Sequence, residues 1–195
     1  GKVMGPWTLS YHMLGTQEFL LRTLTETEDC LRCLDKLKEV TYRFATAQFQ
    51  AGADIVVLAD HATGDLISPK MYREMLLPVH KELVERIGGP LILHVCGNCS
   101  DRLESFAEAG FACYHFEQQV DAKDAIRRVG DRMSLVGNIN NPVTLLSGTP
   151  EDVAREVRYA LEAGVHIIAP ECAIPLQTPL ENLRAIVETV EELSL

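Results

Sequence analysis

The amino-acid sequence predicts an α/β fold in which a parallel β-sheet is covered by helices. Short, nearly continuous apolar runs alternate with longer amphipathic stretches about six times along the 195 residues. Such apolar runs are typical of strands that are buried on both faces, as in parallel sheets. Proline and capping residues precede several of the amphipathic stretches, and glycine follows most of them, so the helix ends are marked as well.

Each predicted strand is followed by a predicted helix. In chain order, the six pairs are 3–9 with 29–50, 55–58 with 69–87, 91–95 with 101–109, 112–116 with 121–129, 134–136 with 150–163, and 166–169 with 179–192. The amphipathic helices can place one apolar face on the sheet while the opposite face stays polar. No linker or low-complexity segment interrupts the pattern, so we expect a single domain over residues 1–195.

Local signals mark where these helices begin and end. Ser68 precedes Pro69, which combines an N-cap with proline at the first helical position. Thr149 and Thr178 are each followed by proline and, three positions on, by an acidic residue, which predicts a capping box. Glycine follows the predicted helices at positions 52, 88, 110, 130 and 164, where it commonly ends a helix.

Two architectures are compatible with this βα pattern, an open doubly wound sheet and a (β/α)8 barrel. A full barrel has eight units, so six units would represent part of one. In both architectures, ligands bind at the carboxyl ends of the strands. The chain starts at Gly1, without methionine, and a predicted strand follows almost at once. We therefore expect the beginning of the natural protein to be missing.

Composition and charge exclude several classes of protein. Lys and Arg number 18 against 28 Asp and Glu, so the formal net charge is −10. An acidic chain without a basic cluster is a poor binder of nucleic acid. No apolar run reaches the ~18 residues of a membrane-spanning helix, and no signal-like segment opens the chain. We expect a cytoplasmic protein that binds neither nucleic acid nor a membrane and uses its six cysteines in thiol chemistry or metal binding.

Three residues at predicted strand ends could bind a metal ion. His94 and Cys96 stand two positions apart on a strand, so their side chains point to the same face. Cys172 follows the last predicted strand, whose end would face the same mouth in a barrel. Imidazole and thiolate are usual zinc ligands, and a catalytic zinc site keeps one position open. Glu117, at the end of the strand after His94, is a candidate fourth ligand that a substrate could displace.

Other interpretations of the cysteines stay open at this level. His94 and Cys96 could be core residues, since free cysteine is among the most buried residue types. A rival zinc site would combine two C-x2-C pairs, Cys30 with Cys33 and Cys96 with Cys99. The first pair lies on a predicted outer helix, and 62 residues separate the pairs. Ordinary helix packing is therefore favoured for Cys30 and Cys33.

Polar residues near other strand ends are candidate catalytic residues. Asp60 and Asp65 could orient a substrate or a metal-ligating histidine, and Asp65 could instead shape the loop before Pro69. Asn138 could donate a hydrogen bond to a substrate, although asparagine is also common in turns. Glu117 completes this predicted catalytic set.

Several motifs, spread over nearly the whole chain, point to one superfamily. They are GPWT at 5–8, DLISP at 65–69, HVCG at 94–97, GNIN at 137–140, and PECAI at 170–174 followed by TPLEN at 178–182. With these motifs the chain resembles the uroporphyrinogen decarboxylase superfamily, and within it the zinc-dependent methylcobamide:coenzyme M methyltransferases. The resemblance implies a (β/α)8 TIM barrel of the uroporphyrinogen decarboxylase type, of which this chain covers about six of the eight βα units.

The resemblance also implies a cofactor, a partner and an activity. In those methyltransferases a His-x-Cys and a later Cys bind Zn2+, and they match His94, Cys96 and Cys172. A Glu that matches Glu117 can take the fourth position. The implied reaction moves a methyl group between a corrinoid carried by a partner protein and a small molecule. That molecule is a thiol such as coenzyme M, or a methoxylated or methylated-amine compound.

Two alternative functions are also considered. A decarboxylase acting on a tetrapyrrole would use Asp and Arg residues without a metal, and Asp60 and Asp65 are present, whereas the Arg-rich N-terminal signature of that branch is not. The chain could also be a non-catalytic module that binds zinc or a corrinoid.

The sequence departs from the family pattern next to the last candidate ligand. Glu171 stands where the methyltransferases often have the glycine that precedes this ligand. An incomplete barrel has two open sheet edges, so we also consider a homo-oligomer.

Overall fold

Six parallel strands form one sheet in the computed structural model, which describes residues 1–193. The strands are β1 (Lys2–Met4), β2 (Val56–Ala59), β3 (Leu91–His94), β4 (Cys113–His115), β5 (Ser134–Ile139) and β6 (Ile167–Pro170). Each strand pairs with the next one along the chain. This sequential order is that of a TIM barrel, whereas a doubly wound sheet reverses its strand order partway. The α/β prediction is confirmed.

Helices follow the strands and pack on one side of the sheet. The α-helices are α1 (Pro6–Leu14), α2 (Thr16–Thr25), α3 (Thr27–Gln50), α4 (Pro69–Met71), α5 (Leu77–Ile87), α6 (Leu103–Ala109), α7 (Ala122–Val129), α8 (Pro150–Ala163) and α9 (Leu180–Leu193). A 3-10 turn at Ser100–Arg102 and π-helical turns at Tyr72–Leu76 and Asn141–Leu145 complete the helical segments. Among residues 1–193, no helix is both long and apolar enough to cross a membrane.

Alternation along the strands separates the helix-packed core from the inner face of the sheet. Leu58 and Leu93 are fully buried in the main core beneath the helices. The next residue in each strand is Ala59 in β2 and His94 in β3, and these two residues are paired. On its other side, His94 pairs with His115 of β4. Because successive side chains of a strand point to opposite faces, this register places two histidines next to each other on the inner face.

The first strand is shorter than predicted, and the segment 5–9 is a correction. β1 ends at Met4, and α1 begins at Pro6. Proline fixes φ and lacks an N–H, so it suits the first turn of a helix better than a paired strand. Trp7 and Thr8 therefore lie on a helix. The prediction also missed α1 and α2, which join β1 to α3.

Most other predicted helices are confirmed within a few residues. The predicted helix 69–87 contains the π-helical turn just before Pro78, whose ring would clash with the carbonyl of Glu74 in a regular α-helix. The capping box of Thr149 with Asp152 forms. The one predicted at Thr178 does not, because the Thr178 hydroxyl is buried without a hydrogen-bond partner.

Candidate metal centre

His94, Cys96 and Cys172 come together at the carboxyl ends of β3 and β6. The His94 Nε2 atom lies 3.2 Å from Cys96 Sγ and 3.5 Å from Cys172 Sγ, and the two sulfurs are 3.3 Å apart. All six cysteines of the chain are free thiols. In the described part of the chain, this is the one group of three or more His, Cys, Asp or Glu residues whose donor atoms cluster closely enough to hold a metal ion.

The spacing and chemistry of these donors fit zinc. With Zn–S bonds of about 2.3 Å and Zn–N bonds of about 2.1 Å, tetrahedral geometry separates two sulfurs by about 3.8 Å and sulfur from nitrogen by about 3.6 Å. The observed separations are a few tenths of an ångström shorter. Two thiols and one imidazole form a three-ligand set of the kind that leaves a fourth position open. The three residues therefore fit a catalytic zinc site.

Local geometry explains how Cys96 reaches the cluster. The chain turns sharply at Gly97, which adopts a positive φ of 79°. A Cβ at this position would lie 2.4 Å from Asp65 Oδ2 and 2.5 Å from Thr63 Oγ1. Only glycine adopts this conformation routinely and leaves room for these neighbours. The loop after β3 is thus packed tightly against the loop after β2.

Burial favours the neutral forms of the ligand side chains, which suits the imidazole for metal binding but keeps the thiol protonated. Desolvation is the main cause that lowers the pKa of His94 to about 4, with further lowering from the charges of His115 and His61. His94 is therefore neutral at pH 7, as a metal ligand must be. Desolvation also raises the pKa of the Cys96 thiol well above its usual range, and the neighbouring Cys172 and Glu117 raise it further.

Glu117 follows β4 and lies beside Cys96, where its charge and hydrogen bonding act on the thiol. It is partly buried. The structure thus brings the predicted fourth ligand to the edge of the cluster, although its carboxylate is outside the compact group of three donors. Whether it binds metal stays a prediction.

A cavity of about 390 Å³ opens next to the cluster on the inner face of the sheet. Its walls include Val57 and Ala59 of β2, together with the imidazoles of His61, His94 and His115. Cys172 also lines this space. A small molecule in the cavity could therefore reach the open side of the candidate metal centre.

Asp60 has a different environment from the one predicted. It is fully buried and its carboxylate accepts hydrogen bonds from the backbone N–H groups of Trp7 and Thr8, at 3.4 and 2.7 Å. His80 Nε2 donates to the same carboxylate at 3.0 Å, and the Tyr72 hydroxyl lies 2.9 Å from His80 Nδ1. This placement assigns Asp60 to anchoring the first turn of α1, with no substrate-facing oxygen.

Asp65 and Asn138 lie in supporting positions. Asp65 is exposed, and it accepts hydrogen bonds from the Thr63 hydroxyl and the Asn98 backbone N–H. It therefore helps to shape the loop before Pro69, as the alternative interpretation proposed, and it also holds the loop after Cys96. Asn138 donates to the backbone carbonyl of Val120 and borders a separate cavity of about 240 Å³. Their predicted catalytic roles gain no support from these contacts.

Two residues near the cluster were missed as functional candidates. His115 packs beside His94 and hydrogen-bonds the backbone of Pro170. Glu171 is buried, and its carboxylate accepts hydrogen bonds from the backbone N–H groups of Gln118 and Asn141. The position of His115 at a strand end was a usable signal, whereas the contacts of Glu171 join chain segments far apart in sequence.

The rival zinc site is not formed. Cys30 and Cys33 lie on α3, outside the sheet, where Cys30 is buried in the helix-packed core. Cys33 is 4.0 Å from the hydroxyl of Ser10. Cys99 points back toward the carbonyl of Cys96 instead of joining the cluster. Ordinary helix packing is the correct interpretation of Cys30 and Cys33.

Comparison with known proteins places these observations in a family context. Residues 1–193 match the family model described as uroporphyrinogen decarboxylase. The methylcobamide:CoM methyltransferase MtaA of Methanosarcina barkeri is 34% identical over an alignment of 194 positions, which covers 98% of this chain and 57% of that protein. A uroporphyrinogen decarboxylase of Coxiella burnetii is 34% identical over an alignment of 208 positions, which covers 97% of this chain and 56% of that protein.

A solved structure supports the same relationship. A methyltransferase from Methanosarcina mazei matches with a TM-score of 0.96 and 32% sequence identity, over 100% of this chain and 58% of that one. The chain thus spans a little more than half the length of the relatives it matches.

Proposed function

The chain belongs to the uroporphyrinogen decarboxylase family, and from this membership we propose that the protein is a zinc-dependent, corrinoid-linked methyltransferase. It moves a methyl group between a corrinoid carried by a partner protein and a small-molecule donor or acceptor, such as a thiol. The single observation that carries the proposal is the cluster of His94, Cys96 and Cys172 at the strand ends. The similarity to a methylcobamide:CoM methyltransferase supports the same reaction class.

The residues of the chain have distinct tasks in this proposal. His94, Cys96 and Cys172 would hold the zinc ion, and Glu117 would be available as a further ligand that a substrate could displace. Bound zinc supplies the positive charge that keeps a substrate thiol deprotonated near neutral pH. The substrate thiolate would form a bond to the methyl carbon while the carbon–cobalt bond breaks and its electron pair stays on the corrinoid cobalt. For a methyl donor, the same residues would hold the ion next to the leaving group.

The neighbouring cavity positions the small molecule. Its volume of about 390 Å³ suits a compact substrate, and Val57 and Ala59 contribute apolar walls. Holding the reacting atoms together and excluding water from them lowers the barrier for transfer. The proposal therefore assigns this cavity to the methyl donor or acceptor, and its open side to the corrinoid of the partner protein.

A second candidate is decarboxylation of a tetrapyrrole, which the similarity to a uroporphyrinogen decarboxylase favours. The clustered thiols and imidazole argue for the first candidate, because a metal-free decarboxylase has no use for three converging metal donors. Turnover of a porphyrinogen by protein freed of metal would establish the second candidate and overturn the first.

The proposal also includes the cellular location and the oligomeric state of the protein. Six free thiols suit a reducing compartment, so we place the protein in the cytoplasm. Among the described strands, β1 and β6 each have one neighbour, and unpaired edges invite association. A homo-oligomer belongs to the same proposal, and light scattering would test it.

The decisive experiment measures metal and activity together. Protein purified without chelator should contain about one zinc per chain, and chelation should expose additional reactive thiols. Methylcobalamin and coenzyme M serve as the probes, and methyl transfer is followed by the change in the corrinoid absorption spectrum. Cys96→Ala and Cys172→Ala should abolish both zinc binding and transfer.

Cys33→Ala is the matched control, since Cys33 lies on α3 away from the cluster. It should keep both zinc and activity. Zinc-free activity in the parent protein, or unchanged activity in Cys96→Ala, would refute the proposal.

A further inference from the structure

His115 of β4 contacts His94 and the backbone of the segment that carries Cys172. Its ring centroid lies 4.5 Å from that of His94, with the two planes tilted by 40°. Its Nε2 atom lies 2.8 Å from the backbone carbonyl oxygen of Pro170. Pro170 ends β6 and precedes the ligand Cys172 by two positions. One side chain thus connects a ligand on β3 to the segment that carries a ligand beyond β6.

The hydrogen bond fixes the chemical role of the His115 ring. A carbonyl oxygen can only accept, so Nε2 of His115 carries the proton and donates it. An Nε2 atom that donates to Pro170 cannot also bind a metal ion. His115 is therefore unsuited to act as a ligand through this atom, although it lies beside the cluster.

The ligand on the far side of the cluster needs such a connection. His94 and Cys96 are two residues apart, so the backbone of one short segment sets their separation. Cys172 follows β6, which is separated from β3 by two strands. The first residue of β6, Ile167, is 51% exposed, so packing holds this strand less firmly than the central ones.

Glu171 secures the same segment from another direction. Its carboxylate accepts the backbone N–H groups of Gln118 and Asn141, and its own N–H donates to the carbonyl of Ile139. These contacts bind the segment to the loops after β4 and β5. They do not reach His94, so His115 supplies a link that Glu171 lacks.

We propose that His115 is a positioning residue that holds Cys172 at metal-binding distance from His94. The inference rests on the proposed function, because it assumes that the cluster binds zinc. Residues that orient metal ligands through hydrogen bonds typically change metal affinity 10–100-fold when they are replaced. His115 acts through the hydrogen bond to Pro170, while its ring packs against the imidazole of His94.

Two substitutions separate these contacts. His115→Phe keeps a ring beside His94 but removes the donor to Pro170. His115→Gln removes the ring but places an amide N–H near the position of Nε2. We expect His115→Phe to weaken zinc binding by about 10–100-fold, measured by competition with a chromogenic chelator, and His115→Gln to recover most of the affinity.

Cobalt(II) substitution provides a readout that general destabilisation would not reproduce. Thiolate-to-cobalt absorption reports the number of bound sulfurs, so it should fall by about half in His115→Phe when Cys172 leaves the metal. His12→Gln, at an exposed position on α1, is the control and should match the parent protein. His115→Asn, whose amide is too short to reach Pro170, repeats the test should the Phe variant not fold.

The outcomes distinguish this inference from the proposed function. If the parent protein binds zinc and the Phe and Asn variants match it in affinity and cobalt spectrum, the positioning role is overturned and the metal centre stands. If the parent protein binds no zinc under any loading condition, both the function and this inference are overturned. Loss of affinity in His115→Phe with recovery in His115→Gln supports the inference.

Discussion

The Sγ atoms of Cys96 and Cys172 lie 3.3 Å apart, although 76 positions separate these residues in the chain. Two thiolates at this distance would repel each other strongly, and the pKa of Cys96 is accordingly raised by burial and by the neighbouring thiol. A divalent cation removes the repulsion by binding both sulfurs. Metal binding at this pair would therefore require the Cys96 thiol to lose its proton.

Zinc binding should release protons in a predictable number. Because the pKa of the Cys96 thiol is raised, this group is protonated in the metal-free protein at pH 7 and must lose its proton to bind. His94, with a pKa lowered to about 4, has no proton to lose there. Calorimetric titration in buffers of different ionisation enthalpy should give at least one proton per zinc, and zero net release would contradict the assigned ligands.

Acid should destabilise the metal-free protein through His94. The folded-state pKa of about 4 lies below the ordinary histidine value of about 6.5, so the unfolded state binds the proton more readily. As pH falls from about 6.5 to about 4, this group should remove about 3 kcal/mol from the free energy of unfolding. Denaturant unfolding of chelated protein should show a weaker pH dependence in His94→Gln than in the parent. Equal pH dependence would argue against the buried, neutral imidazole.

Gly97→Ala should weaken zinc binding, in addition to the loss of stability that any alanine with a positive φ causes. The added methyl group would meet Asp65 and Thr63 at less than 3 Å, so the loop after Cys96 has to shift. We expect zinc affinity to fall at least tenfold, because a ligand atom loses its position. Gly52→Ala is the matched control, since Gly52 has a φ of 97° with no atom within 4 Å of the added carbon.

Both glycine variants should lose about 1–2 kcal/mol of stability from the left-handed backbone. The zinc affinity of Gly52→Ala should nevertheless equal that of the parent. A Gly97→Ala variant with normal zinc affinity would show that the loop tolerates displacement.

Asp60→Ala should act on stability far more than on metal binding. It removes the acceptor of the Trp7 and Thr8 backbone N–H groups and leaves buried His80 without its carboxylate partner. Leaving a buried donor without its partner costs about 1–3 kcal/mol, and three donors lose their acceptor here. Chemical denaturation should show this loss, whereas zinc affinity should change little.

Asp54→Ala, at an exposed position, provides the control and should leave both quantities unchanged. A stable Asp60→Ala variant that lost methyl transfer would restore Asp60 as a catalytic candidate and contradict the anchoring role.

The sequence predicted a strand or helix correctly where neighbouring residues specify it. Apolar runs indicate β2 to β6, and proline with capping residues marks the start of α8, because these effects act within one turn of helix or one strand. The same signals failed for α1. The N–H groups of its first turn donate hydrogen bonds to Asp60, more than fifty positions away. The sequence next to the helix therefore contains no capping residue that would predict its start.

From the sequence alone we could predict the βα order, the shared face of His94 and Cys96, and Cys172 as their candidate partner. Strand alternation and residue chemistry are properties of short segments, so they can be inferred from sequence alone. The tertiary structure was needed to show that Asp60 is buried against His80 and that His115 contacts both His94 and the carbonyl of Pro170. These relationships join distant segments, and their distances arise from how the whole sheet curves and packs.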